Sequence, residues 1–424
     1  MTIRIIFLKI ILNLKREVCK ILKALNVKIK KIIELSQKKT LDPKFKSKIY
    51  DLIDLEEVSE VQLINDNWVK VKVKLGGICG SDLHFLSLNT SSAMSFFTSF
   101  PLIPGHELVG TIVEIGDNVK DFFIGDRVLI EPPLPCEVRG IEPCNSCKEG
   151  DYSLCSNLDK GDIQPGMYTG LCADTGGGWG EYIVAHKSQL FKIPETVSFE
   201  EALIVEPLAV AIHGIFKKLP EEYENCVILG CGTIGLTTIM ALKSFSKCNI
   251  IAVAKYPFQS ELAKNLGAND TFLVKKNVHI KKIGRKLGCR ILTSIMGEPF
   301  PLGGGADIVI DSVGNVSSLS NCIRLAKPGG TLILLGVPAQ LKIDWSPMVS
   351  KEIKIIPSIG YSHDIINNKK QRTFQIALDL IASGSVNVKD ILTHQFPIED
   401  YKSALEVASN KSANNSIKTA FTFE

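Results

Sequence analysis

"CVILGCGTIG", residues 226–235, decides the fold. An unbroken apolar run of strand length ends in glycines, and a stretch of helical spacing, "TIGLTTIMALKSF" (233–245), follows at once. An apolar run without polar alternation predicts a strand buried on both faces, as in a parallel sheet covered by helices. Gly230, Gly232 and Gly235 stand in the G-x-G-x-x-G spacing between that strand and that helix, the setting that gives the motif its meaning. Gly230 permits a tight turn, Gly232 lets the backbone approach a diphosphate, and Gly235 lets helix and strand pack closely. The helix N-terminus, at Thr233 and Ile234, then offers free N–H groups and partial positive charge to the phosphates. These five residues are the expected dinucleotide contacts.

The same alternation continues outward. "NIIAVA" (249–254) predicts a strand, "FQSELAKNLGA" (258–268) a helix, and "ADIVIDSVG" (306–314) and "GGTLILLGV" (329–337) two more strands. Strands alternating with helices predict a doubly wound parallel α/β sheet, here over 208–351. On either side the pattern changes. From Asp54 to Pro207 short strands are separated by Gly and Pro turns: "WVKVKVKL" (68–75), "ELVGTIVEIG" (107–116), "DRVLIEP" (126–132), "GEYIVAH" (180–186). After residue 352 come two amphipathic stretches, 373–386 and 400–410. One domain is therefore expected to sit inside another: residues 1–207 and 352–424 form a β-rich domain, and 208–351 the nucleotide-binding one. At the start, "IRIIFL" (3–8) predicts a strand. "LNLKREVCKILKALNVKIKKII" (12–33) predicts a helix with Leu14, Val18, Leu22 and Leu25 on one face, within a lysine-rich insertion of roughly 10–50.

Composition narrows the class. The chain has 424 residues, 45% hydrophobic and 22% charged, with net charge +4, an ordinary globular balance that gives no footprint for nucleic acid. The lysines crowded into the first fifty residues are expected to be a solvated face. No run reaches membrane-spanning length and no secretory signal is evident, so a reducing, cytoplasmic setting is expected. There the twelve cysteines favour metal or core roles over disulfides. Cys226, Cys248 and Cys322 lie in apolar segments, as small core residues do.

Three short stretches carry metal-ligating chemistry. "GGICGSDLHF" (76–85) places Cys79, Ser81, Asp82 and His84 within six residues. "PGHELVG" (104–110) holds His106 and Glu107, and "IVEPLAVAIHG" (204–214) holds Glu206 at the junction with the nucleotide domain. A catalytic zinc takes three protein ligands and keeps one position open. Cys79, His106 and either Glu107 or Glu206 satisfy that count. A second cluster, "CEVRGIEPCNSCKEGDYSLC" (136–155), lies in a long irregular stretch that is more easily understood as functional than as a bare loop.

With these residues in place, the chain resembles the zinc-dependent medium-chain dehydrogenases/reductases of the alcohol, polyol and sugar dehydrogenase type, threonine and sorbitol dehydrogenases among them. "GICGSDLH", "PGHELVG", "EPLAVAIHG", "GCGTIG" and "AKPGGTLILLG" carry the likeness, in family order, from about residue 50 onward. The resemblance implies a Rossmann domain inserted in a GroES-like catalytic domain. It also implies hydride transfer between a hydroxyl-bearing carbon and NAD or NADP, zinc as cofactor, and a homo-oligomer, dimer or tetramer. Cys79 and His106 would be zinc ligands, Glu206 a third or fourth, and Glu107 the family's labile glutamate. Asp82 would orient His106, Ser81 would take the substrate hydroxyl proton, and His84 would pass it toward solvent. The family's structural zinc lobe reads C-x2-C-x2-C-x7-C. Cys144, Cys147 and Cys155 match its last three positions, but the first falls on Ile141. Cys136, five residues earlier, is expected to take its place. The competing readings are a metal-free NADPH reductase of the same fold and a non-catalytic NADP-binding protein with a basic N-terminal surface.

The second strand of the nucleotide domain sets the cofactor expectation. Where NAD-binding sites carry an acid for the ribose 2′-hydroxyl, this chain has Ala254, followed by Lys255. With no carboxylate to repel a 2′-phosphate and a lysine to attract it, NADP is expected to bind tighter than NAD. A charge-assisted contact of about 1.5–3 kcal/mol gives a preference of roughly ten- to a hundredfold, weakened by salt. Titration of both cofactors at low salt checks this, and Ala254→Asp with Lys255→Ala should reverse the order. Equal dissociation constants in the parent would remove Lys255 from the site.

Overall fold

The computed structural model describes residues 21–41, 48–338, 340–366 and 368–424. Its six-stranded sheet runs Asp270–Leu273, Asn249–Ala254, Asn225–Leu229, Ala306–Asp311, Ala326–Leu334, Lys354–Pro357, every neighbouring pair parallel. Counted along the chain, these are the third, second, first, fourth, fifth and sixth strands. The order therefore reverses between Asn225–Leu229 and Ala306–Asp311. In an open parallel sheet a crevice forms at the carboxyl ends of the strands at that point. The glycine loop begins there. Gly230 takes φ +96°, in the left-handed region that favours glycine, and a Cβ on Gly235 would lie 1.8 Å from the Gly230 carbonyl oxygen. Helices cover both faces. Val205–Phe216 and Thr233–Phe245 bury one apolar side, and Val278–Lys286 and Val316–Leu325 the other.

The second large sheet is mostly antiparallel. Its order is Leu392–Pro397, Lys418–Thr422, Trp68–Ile78, Leu108–Ile115, Arg127–Ile130, Leu190–Lys192, with Tyr182–His186 also paired to Trp68–Ile78. Alternation in "WVKVKVKL" buries Val69, Val71 and Val73. Lys70, on the opposite face, is also buried and pairs with Glu60 at 3.3 Å and Glu114 at 2.5 Å. Cys79 follows the last residue of the central strand of this sheet.

The N-terminus departs from the expected helix. Leu22 and Leu25 belong to a strand, Ile21–Val27, antiparallel to Ile53–Ser59, and not to a helix. This strand has backbone partners beyond its sheet: Leu25 N–H donates to Trp179 O and Val27 N–H to Leu102 O, each at 2.9 Å. Spacing alone could not separate strand from helix in so short an apolar run; the partners that decide it, Ile53–Ser59, Leu102 and Trp179, all lie outside its own stretch. A lysine-rich helix does exist, but it begins at Ile29 and ends at Leu41, between the two strands of this hairpin. It seats Leu35 in the core and ties Lys31 to Asp54 at 2.6 Å, while Lys28 and Lys30 stay exposed. The strand expected at "IRIIFL", with Leu14 and Val18, lies outside the described residues. Among the described residues no helix is long and apolar enough to cross a membrane.

The irregular stretch from Glu131 to Trp179 wraps around the cysteine cluster. Its anchor is Arg139, fully buried, whose guanidinium donates to the carbonyls of Leu134, Lys160, Ile163, Gln164 and Gly166 at 2.7–3.4 Å. A buried cation satisfied by five carbonyls cross-links a loop with little secondary structure of its own.

Candidate active site

Cys79 caps the short helix Gly80–Leu86, and Asp82 in its first turn serves two neighbours. One carboxylate oxygen accepts the Cys79 N–H at 2.9 Å, and the other lies 3.5 Å from Nδ1 of His106. With Nδ1 turned to Asp82, His106 has Nε2 left as a ligand atom. Burial works to lower the His106 pKa, but Asp82 and Cys79 outweigh it and hold the imidazole well above its usual range. The structure brings one ligand atom each of Cys79, His106 and Glu107 within 4.8 Å of one another. Ser81 and His84 are exposed, three residues apart on the same helix.

The two glutamates are not equivalent. Glu107 is 1% exposed, and both its oxygens accept from Nζ of Lys418 at 2.5 Å. The same ammonium donates to the Ile78 carbonyl at 3.3 Å. Glu206 opens the helix Val205–Phe216, also buried, and among the described residues no cation pairs with it. Burial first, and then the charge of Glu107, push its carboxyl up to about 7. A buried carboxylate without a partner is costly. The thiol, imidazole and carboxylate that converge, those of Cys79, His106 and Glu107, are a donor set that fits zinc, and a divalent cation there would also lower the cost of ionising Glu206, whose carboxyl responds to the charges of Glu107 and His106.

Lys418 was not legible as a site residue, although a lysine inside the apolar run "IKTAF" is a signal of a buried charge. Tyr168 was also missed. Its ring stacks on His106 with centroids 6.2 Å apart, and burial, then the charge of Glu206, push its phenol up to about 12. Its hydroxyl, the Tyr361 hydroxyl and the Ser358 hydroxyl are buried without a hydrogen-bond partner. A Cβ on Gly360 would lie 2.4 Å from the Tyr168 oxygen and 3.0 Å from that of Ser153. Ser153 and Ser358 in turn line a cavity of about 360 Å³, with His213, Val337, Ile359 and Ser362.

In the lobe, Cys136, Cys144, Cys147 and Cys155 also converge within 4.8 Å. Sγ of Cys136 is 3.6 Å from that of Cys155, and Cys144 is 4.0 Å from Cys155. The displaced first cysteine reaches the cluster through a turn in which Ile141 N–H donates to the Cys136 carbonyl at 3.1 Å. The N–H of Cys144 and the side-chain amide of Asn157 both donate to Sγ of Cys136 at 3.3 Å, and the N–H of Asn157 to Cys155 at 3.4 Å. Such donors stabilise thiolates, the form that binds metal. Burial pushes the Cys155 thiol up to about 11 all the same, and a cation among the four sulfurs would offset that; four converging thiols, two of them with N–H donors in place, fit a closed tetrahedral zinc.

At the glycine loop, Gly232 caps the helix Thr233–Phe245 with no side-chain cap, and Thr233 donates through its hydroxyl to the Ile417 carbonyl at 3.1 Å. Ile234 is half-buried. Ala254 is fully buried at its strand end, while Lys255 is exposed with Nζ 5.2 Å from the Tyr256 ring centre.

Two family models match the chain: the alcohol dehydrogenase GroES-like domain over residues 65–195 and the zinc-binding dehydrogenase model over 233–383. The chain is 29% identical to an L-idonate 5-dehydrogenase of Vitis vinifera over 83% of its length and 87% of that protein. It is 30% identical to a sorbitol dehydrogenase of Bacillus subtilis, covering 83% of the chain and 89% of that protein. The crystal structure of 2R,3R-butanediol dehydrogenase from Bacillus subtilis shares the fold, with TM-score 0.69 at 24% identity over 95% of this chain and all of that one.

The lobe gives a test of the departed cysteine. Cys136→Ser is expected to release about one zinc per chain and to lower the melting temperature, because the binding energy of a structural metal is folding energy. Cys147→Ser should do the same. Metal content by elemental analysis and thermal unfolding check both. Unchanged zinc in Cys136→Ser beside a loss in Cys147→Ser would mean another group holds the first position.

Proposed function

We propose a mechanism from one premise: the chain belongs to the zinc-dependent medium-chain dehydrogenases of the polyol type. It is an NAD(P)-dependent enzyme that moves hydride between a hydroxyl-bearing carbon and the nicotinamide, and its substrate is a small alcohol or polyol. Cys79 and His106 would hold the catalytic zinc with Glu206, the buried carboxylate that has no cation of its own, while Glu107, within 4.8 Å of Cys79 and His106 but bonded to Lys418, would be the alternate ligand and Asp82 would fix the imidazole. When bound, zinc supplies Lewis-acid polarisation of the substrate oxygen, and NAD(P) supplies the hydride acceptor or donor. The chain's own residues handle the proton. Ser81 accepts it from the substrate hydroxyl as its own proton passes to a water, and His84, exposed three residues along the same helix, passes a proton on to bulk solvent. Gly230, Gly232, Thr233, Ile234 and Gly235 seat the dinucleotide, and Lys255 faces the adenosine ribose. The four cysteines of the lobe hold a structural zinc and need a reducing compartment to stay thiolates, which supports the cytoplasm as the location.

The observation that favours a polyol over a simple alcohol is the set of buried, unpartnered hydroxyls on Tyr168, Tyr361 and Ser358 around Glu206 and the adjoining cavity. An apolar alcohol would leave them unpaired; a chain of hydroxyls would satisfy them. A panel of polyols and short secondary alcohols, followed at the reduced nicotinamide band, tests the reading. Tyr168→Phe is expected to raise KM for polyols by roughly tenfold, the loss of one buried hydrogen bond, while sparing simple secondary alcohols. An equal loss on both classes would sink the polyol assignment. Cys79→Ala should abolish turnover on either class and keep nucleotide affinity.

We also propose a homo-oligomer. Lys354–Pro357 is the edge strand of the parallel sheet, and Val337, Trp345 and Val349 are exposed large apolar side chains in the segment leading to it. A second copy docking there would cover them. Sedimentation equilibrium should give a dimer or tetramer mass, and a monomer at micromolar concentration would refute the interface.

A further inference from the structure

From Lys275 to Arg290 the chain carries seven lysines and arginines and no acid. Most of that run is the helix Val278–Lys286, which follows the outer strand Asp270–Leu273 of the parallel sheet. The helix buries His279, Ile280, Ile283 and Gly284 and turns Lys282, Arg285 and Lys286 to solvent. Lys286 pairs with Asp270 at 3.0 Å. Among the described residues, the other six cations have no carboxylate within ion-pair distance.

The antiparallel hairpin of Arg290–Thr293 and Pro299–Leu302 comes next. It is seated on the helix at Gly284, where a Cβ would lie 2.8 Å from Cδ1 of Ile291 and 3.1 Å from Pro301. Arg290 and Leu292, on the other side of the same strand, are exposed. At the tip Ile295 is fully exposed and Met296 is 84% exposed, in a turn that small polar residues would serve as well. The single acid of the hairpin, Glu298, is tied to Arg324 at 2.5 Å. Four strand residues of about 3.3 Å each put the tip roughly 13 Å beyond Arg290. The cations and the apolar tip therefore belong to one patch. That patch is remote from the chemistry. Asp270 is the first residue of its strand, whereas the glycine loop follows the last residue of a parallel one.

A nucleic-acid backbone would pair with the cations but give Ile295 and Met296 nothing to bury against. An anionic lipid surface matches both parts, with headgroup charge for the cations and an acyl boundary for the tip. The other basic region, around the helix Ile29–Leu41, fits less well. There Lys23, Lys28 and Lys31 already pair with Glu399, Glu56 and Asp54, and Glu34 is exposed among them.

We propose that this patch docks the protein on the anionic headgroups of a membrane surface, with Ile295 and Met296 entering between them. The inference goes beyond the dehydrogenase reading and does not depend on it, since no residue of the patch takes part in hydride transfer.

The test is co-sedimentation of the full-length protein with vesicles of phosphatidylcholine alone and of phosphatidylcholine and phosphatidylserine in equal parts. The parent is expected to bind the mixed vesicles only, and to leave them at high salt. Removing three cations, by Lys282→Gln, Arg285→Gln and Arg290→Gln together, should weaken partitioning about a hundredfold, roughly fivefold per charge. Ile295→Ser with Met296→Ser should weaken it about tenfold. Turnover and melting temperature should match the parent in both variants. Absence of binding to the mixed vesicles overturns the proposal. So does undiminished binding in the tip variant with RNA competing, which would mark a site for polyanions. Loss of binding in Lys30→Gln with Lys38→Gln, and not in the two patch variants, would move the contact to the N-terminal helix and overturn it as well.

Discussion

Lys418 and Glu107 meet in the interior with side chains 3% and 1% exposed, and the placement of the candidate metal ligands Cys79 and His106 depends on that pair. Such a pair adds little net stability, but neither member can be left alone: removing one strands the other charge in a dry site. Its value lies in position. The ammonium holds the carboxylate next to His106 and, through the Ile78 carbonyl, the end of the strand that delivers Cys79. One side chain thus sets the relative position of both loops that present ligands. Asp82 repeats the arrangement on a smaller scale, joining the Cys79 backbone to the His106 ring.

Two glutamates of the same type become different reagents because of what surrounds them. Glu107 has its cation built in. Glu206 has none and takes up a proton more readily than an ordinary carboxyl, since burial and the charge of Glu107 both oppose ionisation. The sequence did not distinguish them, because nothing local to either residue differs in the way that matters. The partner that distinguishes them is more than 300 residues from Glu107 along the chain, with |i−j| of 311.

What could be read in advance was local. The buried strand ending in glycines, the alternating strand Trp68–Ile78 and the cysteine spacing each carry their signal within a dozen residues, and the structure forms the expected elements at the first two and brings the four cysteines together at the third. Where readings failed or stayed silent, the deciding contact was remote. Ile21–Val27 is extended because of Ile53–Ser59, Trp179 and Leu102, none of which its own periodicity reports. Tyr168 matters through a ring contact to His106, and tyrosine in an irregular loop has no pattern to find. Cys136 lies in between: its spacing departs from the family pattern, and only the turn through Ile141 shows how it arrives.

The closing strand Lys418–Thr422 also bears on how the molecule is made. Its contact with Ile78 spans 340 residues, whereas the strands of the parallel sheet all lie between residues 225 and 357. During synthesis the nucleotide-binding half can therefore assemble as one stretch of chain, in the order in which it emerges. The end of the strand Trp68–Ile78 that pairs with the closing strand, Leu75–Ile78, must wait until the last part of the sequence arrives. A strand end left unpaired in this way offers its backbone N–H and C=O groups to other nascent chains. In the interval between the two syntheses, association with other chains competes with completion of this sheet.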